Sequence, residues 1–176
     1  MIGKTLALAT AFMAVTTSPH AESLEQTQGY YTPESFQVSS DQFECLALNV
    51  YFEARNQSHA GKIGVSMVVL NRVDDLRYPD TICGVVKQAK LNSNGSIRRN
   101  QCQFSWYCDG LSDHIRNREA WFEARHIAIE SLRLWSADID ITDGSTHYHA
   151  KTVQPRWASS LTYVTTLDDH HFYRWD

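Results

Sequence analysis

The stretch "ECLALNVYFEARNQSHAGKIGVSMVVLNRV", residues 44–73, decides how the rest of the chain is read. In its first half Leu46, Ala47, Val50 and Ala54 recur at helical spacing, and Ser40 or Asp41 stands ahead of them as an N-cap, with Glu44 three residues after Asp41. That approximate capping box and period predict a helix running to about Arg55. After a polar interruption, Ile63, Val65, Met67, Val68, Val69, Leu70 and Val73 leave almost no polar side, which marks a second helix central to a core. Gly61 and Gly64 on that helix permit close packing.

One residue in the first helix sits oddly. At about 100° per residue, Glu53 lies roughly 20° from Leu46 and about 60° from Val50, so it borders the apolar stripe instead of the open solvent side. A carboxylate held there loses hydration, which favours its neutral form and raises its pKa, the condition required of a general acid near neutral pH. The plainer alternative is an ion pair with Arg55, Lys62 or another cation, and spacing alone leaves both open.

Toward the C-terminus, "YPDTICGVVKQA" predicts a turn at Pro79 followed by a short helix. Residues 90–114, "KLNSNGSIRRNQCQFSWYCDGLSDH", read as a long polar loop carrying Phe104, Trp106 and Tyr107; loops of this length bind something or are tied down. A long helix follows from about Arg116 to Trp135, with Trp121, Ala124, Ala128, Leu132 and Trp135 on one face. "THYHAKTVQPRW" is irregular or extended, and "LTYVTTLDDHHFYRW" predicts two strands joined at Asp168–Asp169. The expected class is α+β: a helix-dominated domain closed by a small C-terminal β-hairpin.

Toward the N-terminus, "MIGKTLALATAFMAVTTSPHAES" has one lysine, an apolar run from Leu6 to Val15 and small residues ending near Ala21, the pattern of a signal peptide over residues 1–21. The run is too short for the ~20 residues that span a bilayer, so stable membrane insertion is not expected. Residues 22–40 are polar, carry Gly29 and Pro33, and read as a linker or surface strap. The folded domain is expected over 41–176, which is enough chain for one core. A net charge of −4 with no long basic run argues against a general nucleic-acid binder. Export makes the four cysteines, Cys45, Cys83, Cys102 and Cys108, disulfide candidates with three possible pairings. A zinc site is the rival, but no CxxC spacing is present.

The ordered set "ECLALNVYFEARNQSHAGKIGVSMVVLNRV", "YPDTICGVVKQ", "CQFSWYCDG", "HYHAKTVQPRW" and "HHFYRW" resembles the SleB-type cell-wall hydrolases, the family that includes spore-cortex-lytic enzymes, over about residues 41–176. Its members are similar to lytic transglycosylases and resuscitation-promoting factors. The resemblance implies a lysozyme-like core, cleavage of the β-1,4 bond between N-acetylmuramic acid and N-acetylglucosamine, and Glu53 as the catalytic acid. The family pattern often has a glycine and a second acid just after "EAR", where this chain has Asn56, Gln57 and Ser58.

Glycoside hydrolysis ordinarily uses two carboxyl groups. Asp109, Asp113 and Asp143 are the candidates for a second one, none of them obvious, whereas a lytic transglycosylase works with a single glutamate and forms a 1,6-anhydro product. One good carboxylate therefore favours transglycosylase over hydrolytic muramidase. Gln103 and Ser105 are expected to hydrogen-bond sugar substituents, Trp106 or Tyr107 to offer a flat face to a ring, and Tyr148 or His149 to contact glycan near Glu53, the last two by resemblance in position. No cofactor or metal is called for, and the expected partner is the glycan strand of peptidoglycan, met by an exported monomer in the periplasm or outside the cell. Two other classes compete. His147 and His149 form an HxH, with His170 and His171 behind it, suggesting a zinc amidase or peptidase, though no HExxH accompanies it. A glycan-binding module without turnover is the third.

Overall fold

Helices build the frame of this computed structural model, which describes residues 38–176; the signal peptide expected at 1–21 and nearly all of the strap expected at 22–40 lie outside the described residues. Helix α1 spans Ser40–Ala54 and buries Phe43, Cys45, Leu46, Ala47, Val50, Tyr51 and Ala54. Its N-cap is Ser39, with no side-chain cap bond, so the expected capping box does not form. The Glu44 carboxylate instead takes a hydrogen bond from Arg125, drawn away by a cation that a backbone N–H cannot match in charge.

Helix α2, His59–Asp74, is capped by Ser58, whose hydroxyl accepts from the Gly61 N–H at 3.3 Å. Its apolar residues from Ile63 to Leu70 are at most 2% exposed, as a helix without a polar side requires. Thr81 caps the short helix α3, Ile82–Val86. Helix α4, Arg118–Ser136, is capped by Asn117 and buries Ala124, Ile127, Ala128 and Leu132, while Trp121 and Trp135 at the two ends of the expected stripe are only half-buried. The buried Tyr51 hydroxyl accepts the N–H groups of Arg116 and Asn117 at 3.2 and 3.1 Å, and so fixes where α4 begins against α1.

The cysteines pair as Cys45–Cys83, joining α1 to α3, and Cys102–Cys108. In a chain-entropy picture, closing loops with sequence separations of 38 and 6 is worth about 4 and about 2 kcal/mol respectively.

The segment expected to be a long loop is in part a β-hairpin. Strand β1, Ala89–Leu91, pairs antiparallel with β2, Ile97–Cys102, across a turn in which the Asn92 N–H donates to the Ser96 carbonyl at 2.8 Å and Gly95 takes φ +81°. Asn94–Gly95 is a strong hairpin signal, masked by strands without apolar alternation. A 3-10 turn, Ser105–Cys108, follows. At the C-terminus β3, His147–Ala150, β4, Thr162–Leu167, and β5, His170–Arg174, form an antiparallel sheet in the order β3-β5-β4, so the expected hairpin gains a third strand. The sheet lies on α2 through the fully buried Phe172. A Cβ built on Gly64 would stand 2.7 Å from the Phe172 ring, which is why that helix position carries none.

Candidate active site

Glu53 occupies the last turn of α1, where the helix points its negative dipole end. It lines a cavity of about 270 Å³ together with Arg72 from α2, Gln103, Phe104 and Ser105 from the segment after β2, His147 and Tyr148 from β3, and Trp157. Four elements distant in sequence therefore converge on one carboxylate.

The ion-pair alternative fails on geometry. Lys62 bonds Glu123 at 2.5 Å, and Arg55 lies over the Tyr51 ring, 5.5 Å from its centroid. Among the described residues no cation stands within 4.0 Å of Glu53. Desolvation raises its pKa, opposed by one hydrogen bond from the Tyr148 hydroxyl to Oε2 at 3.1 Å. The helix end acts in the same direction as burial, because a carboxylate is disfavoured at a helix C-terminus. Tyr148 stays a donor, since burial and the adjacent glutamate push its own pKa well up. Burial thus favours the neutral acid, while the Tyr148 hydroxyl fixes the orientation of the carboxyl group beside the cavity.

Arg72, Phe104, His147 and Trp157 line the cavity without being among the residues expected there, and two of them bear charge or can titrate. Arg72 is 5% exposed, donates Nε to the Thr146 carbonyl at 2.7 Å, and sits over the rings of Tyr78 and Phe104 at 5.1 and 5.5 Å. No carboxylate among the described residues lies within 4.0 Å of it, so a cation faces the cavity without a counter-ion. An arginine inside the apolar run "MVVLNRV" was the available signal. His147 engages the Thr146 hydroxyl through Nδ1 at 3.0 Å; burial first, then the charges of Arg72 and Arg77, push its pKa down to about 4. It is a neutral imidazole at physiological pH.

Of the residues expected to form the site, Glu53, Gln103, Ser105 and Tyr148 meet at this cavity. Trp106 does not. Its indole is 8% exposed, stacks on Phe52 at 4.7 Å and donates to Asn49 Oδ1 at 3.1 Å, so it packs the core and borders a different depression. His149 is also held elsewhere: Nε2 meets the Tyr173 hydroxyl at 3.0 Å and Nδ1 the Ala150 carbonyl at 2.9 Å, which engages both ring nitrogens. The tryptophan that lines the cavity is Trp157, a residue expected only to pack. Trp157 and Gln103 also line a larger adjoining groove of about 880 Å³ along β1 and β2.

The candidate second carboxylates lie apart. Asp109 and Asp113 border the depression beside Trp106, and Asp143 pairs with Arg174 at 2.6 Å. Among the described residues no three His, Cys, Asp or Glu side chains converge as a metal-binding group, and no helix is long and apolar enough to cross a membrane.

A family profile described as "Cell Wall Hydrolase" matches residues 56–173, beginning three residues after Glu53. The spore cortex-lytic enzyme of Oceanobacillus iheyensis is 38% identical over 48 residues, 27% of this chain and 17% of that protein. The spore cortex-lytic enzyme of Bacillus cereus is 33% identical over 61 residues, 35% of this chain and 23% of that protein. The matched stretch thus spans less than a quarter of either relative. Among solved structures, the catalytic domain of the germination-specific lytic transglycosylase SleB from Bacillus anthracis superposes with a TM-score of 0.60 at 22% identity, covering 81% of this chain and 100% of that one. The catalytic domain of Bacillus cereus SleB gives 0.57 at 21%, covering 81% and 95%. At these identities the superpositions establish the α+β fold.

Proposed function

The chain belongs to the cell wall hydrolase family, and from that premise we propose that it is a lytic transglycosylase cleaving the β-1,4 bond between N-acetylmuramic acid and N-acetylglucosamine in peptidoglycan. The observation that carries this reading is Glu53 itself: half-buried, raised in pKa and, among the described residues, without a cation within 4.0 Å and with no other carboxylate lining its cavity. Two-carboxylate hydrolysis needs its second group about 5–9.5 Å from the first, across the sugar.

Protonated Glu53 delivers its proton to the glycosidic oxygen as the bond from the muramic acid C1 to that oxygen breaks. The resulting carboxylate, steadied by the Tyr148 hydroxyl, then takes the proton of the muramic acid 6-hydroxyl while O6 closes onto C1. The products are a free 4-hydroxyl and a 1,6-anhydro end, and Glu53 is protonated again. Gln103 and Ser105 supply hydrogen bonds to acetamido or hydroxyl groups, and Trp157 gives an apolar face for a sugar ring. Arg72 presents N–H donors to a carbonyl or anionic substituent near the cleavage point. Because only the protonated acid starts the reaction, the rate falls as pH rises through the raised Glu53 pKa. The protein acts as a monomer outside the cytoplasm, a setting that suits two disulfides.

Mass spectrometry of digested cell wall tests the reading. Anhydro-muramic ends are the expected product; reducing muramic ends would replace it with hydrolysis, and freed peptides with an amidase.

A further inference from the structure

We propose that the β1–β2 hairpin is a docking arm for the acidic peptide stems of peptidoglycan, so that the enzyme selects stem-bearing glycan over bare glycan; this rests on the glycosidase reading above. Between Val86 and Phe104 the chain carries Lys87, Lys90, Arg98 and Arg99 and no acidic residue, although its net charge is −4. Positive charge is thus concentrated on this arm. All four side chains belong to exposed residues, and none lies within 4.0 Å of a carboxylate among the described residues. A charge run whose only role is solubility needs no particular place. Here Lys90 lines the 880 Å³ groove that shares Gln103 and Trp157 with the Glu53 cavity, and outside that lining Arg98 and Arg99 lie on the same hairpin, with Lys87 just ahead of it.

The groove lining has the chemistry of a peptide site more than that of a sugar site. Lys90 stands there with the side-chain amides of Gln88, Asn100 and Gln101, and no acidic residue lines it. Amides match peptide groups, and a cation matches the carboxylates that stems carry. A strand stripped of its stems by an amidase keeps only the single lactyl carboxylate of each muramic acid and offers no peptide groups, so it meets fewer of these cations and none of these amides. The arm is also held in advance: the Cys102–Cys108 bridge, the Gln103 N–H to Gln88 carbonyl bond at 2.9 Å and the Arg99 Nε to Asp109 carbonyl bond at 2.9 Å tie it to the floor of the cleft. Pre-ordering lowers the entropic cost of docking.

The test compares glycan strands immobilised on beads, with their stems intact or removed by an amidase, measuring both co-sedimentation of the protein with the beads and release of soluble fragments. At low salt the unaltered protein should prefer stem-bearing strands by on the order of ten-fold. That ratio should approach one in high salt. A Lys87→Gln, Lys90→Gln, Arg98→Gln triple variant should show the same collapse with an unchanged melting temperature; Arg98→Gln alone should lower the ratio partway. Equal binding to both materials by the unaltered protein, or a preference untouched in the triple variant, would overturn the inference. Tight binding that survives stem removal would do the same and point to the glycan itself. Absence of cleavage on either material would sink the glycosidase reading, while the co-sedimentation ratio would still decide this one.

Discussion

The C-terminal sheet and the β1–β2 hairpin both border the cleft that leads to Glu53, yet they are secured by different means. The sheet rests on α2: Phe172 is fully buried, its ring fills the space left by Gly64, and the same sheet holds Tyr148 against the glutamate. The hairpin has almost no core contact; every residue from Lys90 to Gln101 is exposed, and a disulfide and a few backbone bonds fix it instead. A group that must hold a proton donor to within tenths of an ångström is mounted on packed core. A group that meets a variable polymer is mounted on the rim. Rigidity is placed where the chemistry demands position.

The largest expected effect is on the acid that lies between the two. Glu53→Gln should lower turnover of cell wall by about 10²–10⁴-fold, measured as muropeptide release. The same change should raise stability at neutral pH. A carboxylate whose folded pKa exceeds its unfolded value costs stability progressively as pH rises above the unfolded pKa, a deficit complete above the folded one. Thermal melts of the two proteins should therefore converge in acid and separate at neutral pH; parallel melts would mean that Glu53 is not desolvated.

Next comes the sheet. Phe172→Ala should cost about 3–5 kcal/mol, read by denaturant unfolding, and should depress turnover as well because Tyr148 loses its support. A variant with full activity and lowered stability would separate the sheet from the chemistry and break the comparison. Opening the hairpin by replacing Cys102 and Cys108 with serine should cost only about 2 kcal/mol and weaken binding of wall more than catalysis of the bound strand, seen as a rise in KM with kcat nearly kept.

The smallest effect sharpens the role of the sheet. Tyr148→Phe removes the one hydrogen bond that opposes burial at Glu53, worth about 1 kcal/mol. The alkaline limb of the rate profile should move to higher pH. A limb moving down, or not at all, would remove Tyr148 from the proton's control.

Much of this architecture was legible. The α2 pattern is apolar on all sides because the helix is covered on all sides, and local periodicity reports that directly. The hairpin was missed for the converse reason: strands β1 and β2 bury nothing, so no alternation marks them, and only Asn94–Gly95 hinted at the turn. The sequence reading gives Trp106 to sugar and Trp157 to packing, whereas Trp157 lines the Glu53 cavity and Trp106 borders a different depression. Composition says that an indole seeks an apolar surface, not which one. His147 and His149 are equivalent in sequence, but the Tyr173 hydroxyl, diagonal to His149 in the strand register, engages that ring, while His147 lines the cavity.

The sequence by itself determined the helical core, the place of Glu53 at the edge of an apolar stripe, and an even set of cysteines, because each depends on residues within a few turns of one another. The tertiary structure alone decided that Glu53 has no counter-ion among the described residues and that a tyrosine 95 positions away donates to it. It alone paired the cysteines and placed Arg72 at the cavity with no carboxylate among the described residues within 4.0 Å of it. These are matters of which surfaces meet, and side chains far apart in the chain are brought together by packing and strand register, which no local pattern encodes.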